Sequence, residues 1–481
     1  MAVRQMEWLF ILGLIVVLAL MFAWRRLKSY FPQRRTLYEE LKDFFKSEPR
    51  QLPIVSRTFM AIDLPNLNIA ITEYAQEQRA NLRVVGYASP SWAADEVFAG
   101  IGLRQVVSAT WLFESILIGL IRYRDVDIDV DKTLRCVENG IYLIETPDGK
   151  LAANLRREIR GNLELEVMCE REEVGAKFLE RIRELAWKRN VYRGKCISLE
   201  CTAEEYGTRE FLQIRFRQLP QIRKEDIVLP EETMAIIERN IVHYFRHSST
   251  LRKLGRPVKR GLLFYGKPGT GKTYTAKWLA QSLEGATVIM LTGENLWLIK
   301  QCCQLAQMLE PSLVIVEDAD LIASERDQTR HPLYQTTLHD LLNEMDGIAP
   351  DAQVIFILTT NRPDVLEPAL VARPGRIDQA IEFPLPGPEE RRRLFELYGR
   401  GLVWAVEDME RLIAKTEGAS PAFIAELVRK AALFALDENS LHEGKPKLTD
   451  RHFDMALREM LFGGGELTRR LFGFEVNSSL Q

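Results

Sequence analysis

An α/β fold, a parallel sheet covered by helices with a small all-helical lid and an α+β region before it, is what this 481-residue chain predicts. Three observations carry the prediction. Apolar runs at Gly261–Tyr265, Thr287–Leu291, Leu313–Val316 and Val354–Leu358 alternate with stretches of helical spacing, the pattern of parallel strands buried on both faces. A glycine-rich loop, Gly266-Lys267-Pro268-Gly269-Thr270-Gly271-Lys272-Thr273, joins the first run to the helical stretch Tyr274–Ala280. Beyond Pro384-Leu385-Pro386-Gly387-Pro388 the pattern becomes helical, with segments at 389–398, 409–416, 421–436 and 451–461.

The N-terminus comes first in order. From Trp8 to Trp24 every residue is apolar or glycine, and Arg25, Arg26 and Lys28 follow at once. As a helix this run is about 25 Å long, just short of a hydrocarbon core. Residues 1–27 are therefore expected to anchor the chain in a membrane as a single pass. The basic flank favours the cytoplasmic or matrix side for everything downstream. The alternative, a cleaved signal peptide, lacks a small-residue cleavage pattern. A second apolar stretch, Val106 to Ile121, contains Glu114 and reads as buried core.

Residues 28–223 are expected to form an α+β domain. Strand-like runs occur at Leu82–Val85, Ile141–Ile144, Leu163–Val167 and Leu212–Phe216, several with period-two alternation. Thr146-Pro147-Asp148-Gly149-Lys150 is a turn signal. Arg171 to Arg189 carries Val174, Phe178, Ile182, Leu185 and Trp187 at near-helical spacing. A second module spans 224–388, opened by a helix over 231–245 that leads into the glycine loop. The lid covers 389–462, and residues 463–481 form a tail after Gly463-Gly464-Gly465.

Composition excludes some classes. The formal charge of −3 argues against a dominant nucleic-acid surface, which needs a basic excess. The six cysteines form no CxxC pair and have no histidine at zinc spacing, so free thiols in a reducing compartment are the simpler account. His243 and His247 have helical ligand spacing, but Tyr244 stands where a metalloprotease needs a glutamate base, so intrinsic proteolysis is not expected.

The chemistry lies in the loop and the strand ends. Glycines let backbone N–H groups turn inward around phosphates, and the helix N-terminus adds its positive dipole end. Gly266, Pro268, Gly269, Thr270, Gly271, Lys272, Thr273 and Tyr274 are thus candidate nucleotide ligands. Lys272 would reach the β- and γ-phosphates, and the Thr273 hydroxyl would ligate Mg²⁺. The strand Leu313–Val316 ends in Glu317 and Asp318, one acid to position hydrated Mg²⁺ and one to polarise the attacking water. Asn361, at the end of Val354–Leu358, would orient that water. Arg373 and Arg376, braced by Pro374 and Gly375, suit presentation of guanidinium groups to a phosphate.

Across about residues 225–462 these motifs resemble the AAA ATPase family in order and spacing. Leu341-Leu342-Asn343-Glu344-Met345-Asp346-Gly347 and Thr416-Glu417-Gly418-Ala419-Ser420-Pro421-Ala422 add to the resemblance. It implies a ring of six or seven subunits hydrolysing ATP, with Arg373 and Arg376 acting in trans as arginine fingers. Two departures stand out. The family's acid order is Asp then Glu, whereas here Glu317 takes the Mg²⁺ position and Asp318 the base position. The aromatic–aliphatic–Gly pore tripeptide is also missing from Gly293–Lys300, leaving Trp297 either as a substitute gripping residue or as a core residue. Both departures, with the anchor and middle domain, are loosely similar to the mitochondrial inner-membrane AAA translocase of the Rieske protein, while the lid is similar to that of AAA metalloproteases. The expected function is an anchored ATPase that remodels, extracts or translocates protein clients. The alternative is a nucleotide-switched scaffold that processes no client mechanically.

Overall fold

The computed structural model of the protein describes residues 35–88, 101–108, 116–158, 162–203, 210–320, 338–364, 366 and 376–463. The expected anchor (1–27), the tail beyond Gly463 and Arg373 lie outside the described residues. Among the described residues no helix is long and apolar enough to cross a membrane. The chain divides into two compact units, Met1–Val126 with Leu134–Lys188, and Asp127–Thr133 with Arg189–Gln481.

The first unit is a six-stranded antiparallel sheet, in order β1 (Ile54–Phe59), β8 (Leu163–Cys169), β7 (Gly149–Arg157), β6 (Ile141–Thr146), β2 (Asn81–Ala88) and β3 (Leu117–Gly119). Alternation along β6 shows why both faces are covered. Tyr142 and Ile144 pack with Leu67, Ile71, Phe178 and Ile182 of helices α2 (Leu64–Glu77) and α4 (Glu172–Lys188). Ile141 and Leu143 pack with Leu37, Leu41 and Leu103 of α1 (Leu37–Phe45) and α3 (Leu103–Ser108) on the other face. The turn signal at 146–150 is the β6–β7 hairpin, in which Thr146 pairs with Gly149. Helix α4 forms where the spacing predicts it, but Trp187 is exposed. Nine positions of about 100° each put it half a turn away from Phe178. The Val106–Ile121 stretch is buried at Val106 and Ile116, yet Leu120 is almost fully exposed.

The second unit contains the expected parallel sheet, in order β10 (Glu210–Phe216), β9 (Cys196–Ala203), β12 (Thr287–Leu291), β13 (Ser312–Val316), β14 (Val354–Thr360), β11 (Arg260–Tyr265) and β15 (Gln379–Glu382). All neighbours run parallel except β10, which returns antiparallel beside β9. The strand expected over 212–216 thus lies in this sheet and not with the upstream strands. Backbone pairing of Cys196–Ser198 with Val288–Met290 draws it there. Helix α7 (Lys272–Ser282) buries Ala276 and Leu279 against β11 and β14, whose Leu262, Phe264, Ile355 and Ile357 are inaccessible. The helix expected over 231–245 continues to Lys253, passing through a π-turn at Glu238–His243. Both His243 and His247 are exposed on it. Cys302 and Cys303 are buried in α8 (Ile299–Met308) and serve as packing residues.

The lid contains α10 (Pro388–Tyr398), α11 (Met409–Lys415), α12 (Pro421–Asp437) and α13 (Asp450–Arg458) around Phe395, Phe423, Leu427 and Phe453. It is not all-helical. Val403–Ala405, Lys445–Thr449 and Leu441–His442 form a three-stranded sheet beside these helices. The hairpin within it turns at Glu443 and Gly444, both at positive φ, the geometry that matches strand twist. Trp404, from the first of these strands, stacks on Phe453 with ring centroids 5.6 Å apart.

A candidate nucleotide site between the glycine loop and the lid

Strand β11 ends at Tyr265, and the glycine loop leads directly into α7. Gly269 and Gly271 sit at φ +75° and +94°, where a side chain is strained, and this lets the loop fold back over the helix start. Lys272 is buried inside the loop. Its Nζ donates to the carbonyls of Gly266 and Lys267, each at 2.9 Å. Burial pushes its ammonium down to about 8, against the pull of the Asp318 and Asp320 carboxylates. This is a largely buried cation held by carbonyl acceptors at the edge of a cavity, ready for a stronger anion.

The acids follow β13. Asp318 adopts φ +51°, unusual for a residue with a side chain, and its N–H donates to Thr359 Oγ1 at 3.1 Å. Its Oδ1 accepts from Asn361 Nδ2 at 3.4 Å, so the acid and the amide meet across adjacent strand ends. Glu317 points elsewhere. Its Oε1 is buried without a hydrogen-bond donor and lies 3.6 Å from Lys277 Nζ, one helical turn beyond Thr273. A hydroxyl and carboxylates are the donors Mg²⁺ takes, its shell completed by water and phosphate oxygens, but Glu317 would have to turn from Lys277 to join Thr273 around the ion.

Lys272, Thr273, Asp318 and Asn361 open onto one cavity of about 660 Å³. Its lining includes Pro268–Thr275, Asp318 and Asn361, which brings together the loop candidates Pro268, Gly269, Thr270, Gly271, Lys272, Thr273 and Tyr274. Gly266, Glu317 and Arg376 are not in the lining. Arg376 is mostly buried and ion-paired with Asp346. Ile227, Val228 and Leu229 also line it, together with Leu394, Leu397 and Tyr398 of the lid, giving the cavity an apolar slot. Burial pushes the Tyr398 phenol up to about 12. Across the mouth, Arg400 pairs with Asp226, which Arg223 also holds and whose carboxyl the two guanidiniums keep below its usual range. The lid reaches the loop directly, since the Ala422 N–H donates to the Gly269 carbonyl at 3.2 Å.

The lid walls and the 227–229 segment carry no motif of their own, and only folding makes them neighbours of the loop. Asp320 did carry a signal, as the third acid of Glu317-Asp318-Ala319-Asp320.

Comparison with known proteins agrees with this geometry. Residues 262–385 match the model of the ATPase family associated with various cellular activities (AAA). A proteasome-activating nucleotidase of Methanothermobacter thermautotrophicus is 32% identical over 229 residues, 45% of this chain and 56% of that protein. The 26S proteasome regulatory subunit 8 homolog of Schizosaccharomyces pombe is 32% identical over 243 residues, 47% of this chain and 59% of that protein. The ATP-dependent zinc metalloprotease FtsH of Acidimicrobium ferrooxidans is 32% identical over 237 residues, 47% of this chain and 35% of that protein. The chain therefore spans little more than half the length of the first two relatives and about a third of the last. The phosphate loop and the acid-tipped strand thus lie within residues 262–385, a domain of the AAA ATPase family against which the lid is hydrogen-bonded.

Proposed function

We propose that this chain works as a ring of six or seven copies, using ATP hydrolysis to remodel, extract or translocate protein clients. In this reading the Trp8–Trp24 segment anchors it in a membrane, with the ATPase domain on the cytoplasmic or matrix side. One observation supports this reading most. The lid is hydrogen-bonded to the phosphate loop through Ala422 and Gly269, a direct path by which a change in what the loop holds would reach the lid. That is the coupling a mechanical ATPase needs. The names of the relatives, a proteasome activator and an ATP-dependent protease among them, point to protein substrates.

Each residue has a role in the proposal. Lys272 and the loop N–H groups bind the β- and γ-phosphates. Thr273 and Glu317 hold Mg²⁺, which neutralises phosphate charge when bound. Asp318 takes the proton of the attacking water, and Asn361, already in contact with Asp318, orients that water. Arg373 and Arg376 act on the neighbouring subunit's site; Arg376 would have to exchange its Asp346 partner for the phosphate to do so.

The test is client capture in native membranes. Asp318→Asn should bind ATP without turnover and retain particular clients, whereas Lys272→Ala should retain none. Recovery of one stable partner equally with both variants would favour the nucleotide-switched scaffold. If Asp318→Asn hydrolyses ATP at the parent rate, the assignment of the base fails.

A further inference from the structure

We infer that Asp320, which does not line the cavity, is a positioning residue that sets Asn361 for the reaction. The inference rests on reading the site as an ATP hydrolase. Asp320 Oδ1 accepts from Thr360 Oγ1 at 2.9 Å and from the backbone N–H of Asn361 at 3.4 Å. Thr360 is fully buried, and its Oγ1 accepts in turn from the Arg362 N–H at 2.9 Å. Its one hydroxyl proton is thereby committed to Asp320 and its lone pair to the turn that follows. The chain leaving β14 is thus pinned by a side chain from the segment that follows β13, in addition to the backbone pairing of Thr359 and Thr360 with β11.

Two carboxylates, two residues apart, hold opposite ends of one asparagine. Asp318 meets the Asn361 side-chain amide, and Asp320 meets its main chain. Ala319, between them, donates its N–H to the Thr359 carbonyl at 2.9 Å, closing the stitch between the two strand ends. With the main chain released, the Asn361 amide would be free to leave Asp318 and the water both would hold. A displacement of about 1 Å at a reacting group can cost ~100-fold in rate. Nucleotide affinity, set by the loop and the apolar slot, would not depend on this contact. Asp320 also faces Lys272 electrostatically, which offers a competing role for its charge.

Asparagine at this position keeps the acceptor and removes the charge, which separates the two roles. The measurement is kcat, KM and ATP affinity of the full chain for the parent, Asp320→Ala, Asp320→Asn and Thr360→Val, with melting temperatures alongside. Asp320→Ala should lose ~10-fold or more in kcat with ATP affinity within about threefold of the parent. Asp320→Asn should recover most of that loss. Thr360→Val, which leaves Asp320 in place but removes its donor, should lower kcat in the same direction. If Asp320→Ala fails to fold, Thr360→Val against Asp320→Asn decides. Parent-like kcat in Asp320→Ala, or an equal fall in Asp320→Asn, overturns the inference while leaving the ATPase reading intact. A parent protein that does not hydrolyse ATP overturns the reading itself.

Discussion

Lys272→Met should make the nucleotide-free protein more stable while abolishing its response to ATP. Burial takes the Lys272 ammonium from 10.5 to about 8. Each pKa unit is about 1.4 kcal/mol, so holding the charge in the folded state costs about 3 kcal/mol at pH 7. Methionine keeps the aliphatic stem and removes the charge. It leaves the Gly266 and Lys267 carbonyls without their donor, at about 1 kcal/mol each. The balance is a net gain of about 1 kcal/mol, or about 2–4 °C in melting temperature. The advantage is fully present below pH 8, where the parent lysine is protonated both folded and unfolded. Between pH 8 and 10.5 the folded lysine has shed its proton and the unfolded one has not, so parent stability rises relative to the variant. By pH 10.5 the parent should be the more stable. Thermal melts of both proteins from pH 7 to 10.5, with and without Mg-ATP, test this. A variant that melts at or below the parent at pH 7, or a difference that does not change with pH, would refute the reasoning.

Two further outcomes follow from the lid contacts. Gly269→Ala and Gly271→Ala should each cost about 1–2 kcal/mol in backbone strain. Only at Gly269 would the new methyl meet the lid, 2.8 Å from Ala422 Cβ and 2.9 Å from Ser420 Oγ, whereas at Gly271 nothing lies within 4 Å. Amide hydrogen exchange at Ala422 should therefore speed up about fivefold or more in Gly269→Ala alone; equal exchange in both variants would show that loop and lid are not sterically coupled. Arg400→Ala removes an exposed ion pair worth up to about 1 kcal/mol across the cavity mouth. Nucleotide should dissociate up to about fivefold faster at low ionic strength and at the parent rate in about 0.5 M salt; a difference that survives the salt would rule out an electrostatic latch.

What could be read from the sequence was what depends on short stretches of chain. The glycine loop needs eight consecutive residues, and β13 with its two acids needs seven, so both were evident before any tertiary structure. The apolar wall of the cavity was not, because Ile227, Leu394 and Tyr398 are more than 160 positions apart at their extremes and share no local pattern. The lid sheet was hidden for a different reason. Its strands are two to five residues long, too short for alternation to show, and they are held by packing of Trp404 on Phe395 and Phe453. The reassignment of 210–216 to the ATPase sheet has a similar cause, since its period-two pattern predicts a strand but cannot name its neighbour. Acid order was legible and its geometric consequence was not. The extra methylene of Glu317 lets it reach Lys277, while the left-handed backbone at Asp318 turns the shorter acid to the cavity.

The β9–β10 hairpin has a practical consequence for how the ATPase module can be separated. In sequence the module begins near residue 224, but its sheet begins at Cys196. A fragment started at 224 would strip Ile197 and Leu199, both inaccessible, from beside β12. It would also leave the backbone of Val288–Met290 as a bare, flat edge of hydrophobic strand, an open template for pairing with other chains. Any autonomous version of this engine has to carry its upstream hairpin, and Arg193, which donates to the carbonyls of Met308 and Glu310 at the end of α8, extends that requirement a few residues further back.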